Sequence, residues 1–107
     1  MVNSNRKLKI QEVVREIVAE YINRENNKTS LITVTRVDVS PNLSSCDIYV
    51  SVFPETGEES AINFLKRKRP HVKNEIKKKM NLRKIPFIDF QIDLGEKNRQ
   101  KIEEISH

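Results

Sequence analysis

Apolar residues recur at helical spacing in the first quarter of the chain. Their intervals of three and four residues place them on one wide face of a helix, which we predict from about Arg6 to Glu25. The residues on this face are Ile10, Val13, Val14, Ile17, Val18, Tyr21 and Ile22. An amphipathic helix with so broad an apolar face is expected to pack on a core.

The next two apolar segments have the two-residue period of β-strands. The first, Leu31 to Val39, is rich in β-branched residues, and its apolar positions change parity between Val34 and Val37. That change indicates either a β-bulge or burial of both strand faces. The second segment alternates cleanly at Cys46, Ile48, Val50 and Val52. Because a short turn joins the two segments, we predict a β-hairpin.

The region after the hairpin predicts two helices with a break between them. The first begins near Glu58, and the second carries a narrow apolar stripe at Val72, Ile76 and Met80. A proline disfavours helical backbone at the residue before it, and it is well tolerated at the start of a helix. We therefore predict the helix break at Arg69 and Pro70.

A third strand follows Pro86, because Ile88, Phe90 and Ile92 alternate with more exposed positions. Residues 95–107 have few apolar residues and predict a weakly docked C-terminal segment. The element order is therefore α-β-β-α-α-β in a chain of 107 residues. This order predicts one α+β domain over residues 1–107, with a three-stranded sheet covered by helices on one face.

Charge is concentrated in one segment of the chain. Residues 66–84 contain ten basic side chains and one acidic side chain, a net charge of +9, so the remaining residues sum to −4 in a chain of net charge +5. A focused positive field attracts polyanions, of which nucleic acid is the most common. The alternative is a solvated lysine-rich helix face, which more often mixes both signs of charge.

We predict that the basic residues of this segment bind RNA. The candidate RNA-binding residues are Lys66, Arg67, Lys68, Arg69, Lys73, Lys77, Lys78, Arg83 and Lys84. No aromatic residue lies among them, although single-strand binders usually combine stacking rings with charge. We expect Phe53 and Phe87, on strand exteriors, to serve core or edge packing rather than base stacking. This pattern favours phosphate contacts and shape recognition of folded RNA.

Composition argues against several other classes of protein. No stretch has the length of apolar sequence that a membrane helix requires, and the N-terminus does not have the pattern of a signal peptide. A single cysteine, Cys46, and two histidines do not supply a structural zinc site, and two isolated glycines do not form a phosphate-binding loop. We expect a cytoplasmic protein that is not an enzyme, with no catalytic residues, no metal site and no cofactor.

Two blocks of sequence resemble a known family. The first is Val39-Ser40-Pro41-Asn42-Leu43-Ser44 followed by Ile48-Tyr49-Val50-Ser51, and the second is Leu82-Arg83 followed by Pro86, Ile88, Phe90 and Asp93. In order and spacing they resemble the ribosome-binding factor A family, whose fold is a type II K-homology (KH) domain. The family usually has Ala-x-Gly at the helix break, whereas this chain has Lys68-Arg69-Pro70. The Gly-x-x-Gly loop of ordinary KH domains is absent.

The resemblance implies a role in late maturation of the small (30S) ribosomal subunit and in processing of 16S rRNA. It also implies binding to free subunits near the 5′-terminal helix of the rRNA, so the small subunit and its rRNA are the expected partners. The apolar faces are all accounted for by one small core, which predicts a monomer. Two other interpretations remain open: a general KH-type RNA-binding protein, and a protein–protein adaptor that docks through its basic helix.

Overall fold

The computed structural model describes the backbone of residues 2–26 and 29–105 and the side chains of residues 6–26 and 29–99. Its elements are α1 (Val2–Glu25), β1 (Leu31–Val39), β2 (Ser45–Phe53), a 3₁₀ turn (Glu55–Gly57), α2 (Glu58–Arg67), α3 (Arg69–Lys79), β3 (Phe87–Ile92) and α4 (Leu94–Ile105). The predicted order α-β-β-α-α-β is confirmed, and α4 follows it. The first helix begins four residues earlier than the apolar pattern indicated.

The three strands form one sheet in the order β1-β2-β3. β1 and β2 are antiparallel, as the predicted hairpin requires, and β3 returns parallel to β2 after the two helices. The register of β1 shifts between Val34 and Arg36, so Thr35 is the extra residue of a β-bulge. The bulge explains the change of apolar parity, because Val37 and Val39 return to the buried face beyond it.

The core lies between one face of this sheet and the helices. α1 packs on β1, α2 packs on β3 and β2, and α3 packs mainly on α1. Val13 was expected on the buried face of α1, but it is 37% exposed and lies at the margin of the packed face. Ile92 and Met80 are only half-buried. The buried apolar residues are Ile10, Val14, Ile17, Val18, Tyr21, Ile22, Ile32, Val34, Val37, Val39, Cys46, Ile48, Val50, Val52, Ala61, Leu65, Val72, Ile76, Ile88 and Phe90.

The break between α2 and α3 lies at Lys68, one residue before the predicted position. Lys68 has φ −92° and ψ 3°, whereas Arg69 is already the first residue of α3. In an unbroken helix the ring of Pro70 would collide with the carbonyl group of Lys66. Rotation at Lys68 relieves that collision, and its own carbonyl then accepts the first bond of α3, from the Val72 amide at 3.0 Å. Arg69 therefore keeps helical geometry.

The start of α4 is fixed by Asp93. One carboxylate oxygen accepts the Glu96 amide at 3.0 Å, and the other accepts the Thr35 hydroxyl at 2.6 Å, which links the bulge of β1 to the cap of α4. Lys97 then pairs with Glu55 at 2.8 Å and Glu58 at 3.1 Å. The two apolar side chains farther along, at positions 102 and 105, lie outside the described residues.

Cys46 lies in the core on β2, as its inward parity predicted. It is 2% exposed, and burial raises the pKa of its thiol to about 12. A thiol with such a pKa stays protonated at neutral pH and behaves as a small apolar residue.

Among the described residues, none of the helices combines the length and the hydropathy needed to cross a membrane.

Replacing Pro70 with alanine tests the origin of the break. The variant regains an N–H that can bond to the Lys66 carbonyl, so we expect α2 and α3 to join or to change their angle. Amide chemical shifts of residues 66–72 should move, and the new amide at position 70 should be protected from hydrogen exchange. Asn74→Ala, an exposed change within α3, is the control and should leave residues 66–69 unchanged. Unaltered shifts in the proline variant would show that another feature determines the break.

Candidate nucleic-acid interface

Four of the predicted RNA-binding residues, Lys66, Arg67, Arg69 and Lys73, line one groove beside the break between α2 and α3, and the other five lie at the break, on α3 or in the segment that follows it. Both helices bury their apolar residues, which are Ala61 and Leu65 in α2 and Val72 and Ile76 in α3. The basic side chains therefore turn outward. We call this the basic surface. It consists of Lys66, Arg67, Lys68, Arg69, Lys73, Lys77, Lys78, Arg83 and Lys84.

Six of these nine cations are exposed and unpaired. No carboxylate lies within ion-pair distance of them among residues 6–26 and 29–99, whose side chains the structure describes. They are Arg67, Lys73, Lys77, Lys78, Arg83 and Lys84. Lys68 is half-buried, with its ammonium 5.9 Å from the centre of the Phe64 ring. An uncompensated group of this kind raises the local concentration of anions.

Lys66 and Arg69 have a different role from the other seven. Both contact the same carboxylate oxygen of Asp89 on β3, at 3.3 Å for the Lys66 ammonium and 3.0 Å for the Arg69 guanidinium. Lys66 belongs to α2 and Arg69 to α3, so Asp89 bridges the two sides of the helix break. These two cations therefore connect the helices to β3 and also contribute positive charge to the basic surface. The sequence did not predict the first of these roles.

The surroundings of Asp89 favour its charged form. Partial burial alone would raise the pKa of its carboxyl group. The Phe90 amide, which donates to Asp89 at 2.9 Å, and the neighbouring Lys66 and Arg69 outweigh that effect and hold the pKa below its ordinary value. The carboxylate is thus ionised, and the bridge is intact, at neutral pH.

The one acidic residue within the basic segment is turned away from the basic surface. Glu75 accepts Arg24 of α1 at 3.1 Å and lies 3.7 Å from the ammonium of Lys79, which also approaches Glu20 at 3.5 Å. These ion pairs lie along the contact between α1 and α3. Glu75 therefore does not neutralise the outward side of α3.

The open face of the sheet has the opposite electrostatic character. The register aligns Asp38, Asp47 and Asp89 in one row across all three strands. In the next row the Arg36 guanidinium lies 4.1 Å from the centre of the Tyr49 ring. A polyanion is thus attracted to the exposed cations of the helices rather than to this row of carboxylates.

Phe87 extends the basic surface with an aromatic ring. It begins β3, is 65% exposed and lies 5.7 Å from the Arg69 guanidinium. Between the helix break and β3 lies an open groove of about 450 Å³, to which Pro70 and Pro86 also contribute. The expectation that Phe53 and Phe87 serve core or edge packing is wrong, because Phe53 is 74% exposed and Phe87 is 65% exposed.

The structure thus groups the predicted residues but assigns them unequal roles. The sequence does not reveal the bridging role of Asp89, and it favours packing over base stacking for Phe87, although alternation with buried Ile88 and Phe90 places both on the outer face of β3. His71 is exposed on α3. Within the described part of the chain, no three side chains of His, Cys, Asp or Glu are arranged to hold a metal ion.

Comparison with known families identifies the chain. The model of the family described as ribosome-binding factor A matches residues 6–106. The ribosome-binding factor A of Macrococcus caseolyticus is 31% identical over 110 residues, covering 96% of this chain and 96% of that protein. The one from Rhodopirellula baltica is 31% identical over 106 residues, covering 96% and 77%. The chain belongs to the ribosome-binding factor A family.

Solved structures agree with this assignment. The crystal structure of ribosome-binding factor A from Thermus thermophilus superposes with a TM-score of 0.73 at 25% identity, covering 80% of this chain and 93% of that chain. A homology model of the Thermus thermophilus factor, fitted into the cryo-EM map of a 30S complex, superposes with a TM-score of 0.65 at 24% identity, covering 76% and 88%. The KH-like α+β fold implied by the resemblance is confirmed.

Asp89→Asn tests the bridge across the helix break. Because the pKa of Asp89 is lowered in the folded protein, its contribution to stability is complete above the unfolded-state pKa of about 3.9 and is lost as the pH falls through the folded-state value. At pH 7 we expect the variant to lose about 1 kcal/mol of unfolding free energy, a small value because these ion pairs are partly exposed.

Urea unfolding of both proteins at pH 7 and near pH 3 measures the effect, which should be smaller at the lower pH. Asp38→Asn removes a carboxylate from the same row, far from ion-pair distance of Lys66 and Arg69, and should change stability little. A loss in Asp89→Asn that is equal at both values of pH would contradict the bridge.

Proposed function

We propose that this protein binds the small ribosomal subunit through contacts between the basic surface and rRNA phosphates. One observation carries the proposal: six exposed cations on α2, α3 and the following segment have no carboxylate partner among the residues whose side chains are described. Membership of the ribosome-binding factor A family supports a ribosomal partner. The fitting of a similar Thermus thermophilus protein into the map of a 30S complex supports the small subunit in particular.

The contacts at the helix break are made by side chains rather than by the backbone. A Gly-rich loop binds phosphate through closely approaching N–H groups, but Pro70, in the first turn of α3, has no N–H to donate. Lys73 and Lys77 lie one helical turn apart on the exposed side of α3, so they can contact successive phosphates. Binding of this kind positions a protein on folded RNA with little base specificity.

The proposed role is that of an assembly factor without catalysis. Bound at the rRNA, the small domain holds an immature subunit in one conformation by occupying space near the 5′-terminal helix, and so assists late maturation and processing of 16S rRNA. The expected target is the free subunit, and the expected active form is a monomer. The buried, protonated Cys46 is unsuited to act as a nucleophile.

Charge reversal on α3 tests the proposal. Lys73, Lys77 and Lys78 are exposed and unpaired, so changing all three to glutamate should leave the fold intact while replacing attraction by repulsion. Affinity for purified small subunits should fall more than about tenfold at 0.1 M salt, and the slope of log affinity against log salt should decrease by about 2–3. Co-sedimentation over a series of salt concentrations measures both quantities.

The matched control reverses Arg6, Lys9 and Arg15, three exposed cations of α1, and changes the net charge by the same amount. This variant should keep most of its affinity, because the contact depends on position and not on total charge. Equal losses of affinity in the two variants would indicate that binding is general electrostatic attraction and not a contact through the basic surface. Undiminished binding by the α3 variant would contradict the proposal, and binding insensitive to salt would favour a protein–protein adaptor.

A further inference from the structure

An exposed apolar pair lies at one end of the open sheet face. Leu31 and Phe53 are register partners on β1 and β2, and they are 64% and 74% exposed. Ile32 and Val52, the residues next to them, are buried, so the pair points away from the core. Two large apolar side chains side by side remain in water at a cost that a docked partner would remove.

Negative charge lies beside this pair and continues along the same face. Asp38 and Asp47 are register partners between buried neighbours, so both point to the open side. Outside the Asp89 bridge, the described residues of this face and of the depression beside Phe53 include five carboxylates and two cations, a net charge of −3. The carboxylates are Asp38, Asp47, Glu55, Glu58 and Asp93, and the cations are Arg36 and Lys97.

The two aspartates of this face keep their charge free for a partner. Asp38 is exposed, and no cation lies within ion-pair distance of it among the residues whose side chains are described. Asp47 accepts the uncharged Gln91 side-chain amide at 3.0 Å. Arg36, in the neighbouring row, lies over the Tyr49 ring and pairs with neither carboxylate. The face therefore attracts a positively charged partner.

The spacing of these features indicates an extended partner. Phe53 and Asp47 lie six residues apart on β2, which corresponds to about 20 Å at ~3.3 Å per residue. An extended segment of roughly six residues spans that distance. RNA is repelled by this face, and in a symmetric dimer the same net negative charge would meet itself. A protein segment that combines cations with an apolar side chain matches both the charge and the apolar pair.

We propose that the open sheet face docks a lysine- and arginine-rich protein segment of the small subunit, with an apolar side chain of that segment against Leu31 and Phe53 and its cations at Asp38 and Asp47. The inference rests on the proposed function, in which the basic surface of the helices meets rRNA. The helices pack on the opposite face of the sheet, so both contacts can form at once. Contacts of opposite charge on two sides of the domain fix its orientation on the subunit.

Asp38→Lys tests the charge of the partner through the direction of its effect. The new ammonium repels a basic segment, so affinity for purified small subunits should fall about 2- to 10-fold, whereas it should rise if RNA meets this face. Glu16→Lys makes the same change in charge on the exposed side of α1 and, as the matched control, should not weaken binding. Co-sedimentation that shows no fall for Asp38→Lys, or an equal fall for Glu16→Lys, overturns the inference.

Phe53→Ser tests the apolar contact. Loss of the ring should lower affinity for small subunits about 5- to 30-fold, the effect of truncating one well-packed aromatic side chain at an interface. Leu8→Ser is the matched control, because Leu8 is 61% exposed on α1 and should contribute nothing to this contact. Circular dichroism should show that both variants fold as the unaltered protein does. Unchanged affinity of a folded Phe53→Ser variant contradicts the inference.

A photoreactive residue identifies the partner directly. With p-benzoylphenylalanine in place of Phe53, illumination of the complex with small subunits should cross-link a lysine- and arginine-rich peptide of a ribosomal protein, which mass spectrometry identifies. A cross-link to rRNA, to a second copy or to this chain's own residues 100–107 overturns the inference. The proposed function is judged separately, by the salt-sensitive loss of affinity in the α3 charge-reversal variant. If that loss is found while position 53 contacts no ribosomal protein, only the docking inference fails.

Discussion

Pro70 prevents one long helix from covering the sheet. Because the Pro70 ring and the Lys66 carbonyl cannot occupy the same space in a continuous helix, the chain changes direction at Lys68. α2 then packs on β3 and β2, while α3 packs mainly on α1. Both helices turn their apolar residues toward one core, so the cations on either side of the break remain on a single outer surface. The position of the positive charge follows from this change of direction.

The break also explains why the cations of the basic surface are not equivalent. Where α2 meets α3, the edge strand β3 passes close enough for Asp89 to bind Lys66 and Arg69 together. That bridge holds the two helices in their relative orientation and fixes Arg69 beside Phe87. Farther along α3 no carboxylate among the described residues pairs with Lys73, Lys77 or Lys78, since Glu75 is turned to Arg24 and Lys79. The two cations paired to Asp89 thus lie on either side of the break, and Lys73, Lys77 and Lys78 beyond it have no carboxylate partner among the described residues.

Local pattern was sufficient to predict the elements, their order and the location of the charge. It was insufficient wherever the outcome depended on residues distant in sequence. The Asp89 bridge requires β3 to lie parallel to β2 beneath the helix break, which no periodicity reveals. The 65% exposure of Phe87 is a property of its place at the start of the edge strand β3, whereas alternation assigns only the face of the strand. The break lies at Lys68 and not at the predicted Arg69, because rotation at Lys68 already removes the collision between the Pro70 ring and the Lys66 carbonyl. Which residue rotates is not apparent from the position of the proline alone.

Lysine reactivity in the complex tests most directly whether the basic surface contacts rRNA. The protein is treated with an acetylating reagent free and bound to small subunits, and modification at each lysine is measured by mass spectrometry. Lys73, Lys77, Lys78 and Lys84 are exposed when the protein is free and should become protected on binding. Lys9, exposed on α1, should remain reactive in both states. Protection of Lys9 together with continued reactivity of the α3 lysines would show that a different face of the protein meets the ribosome.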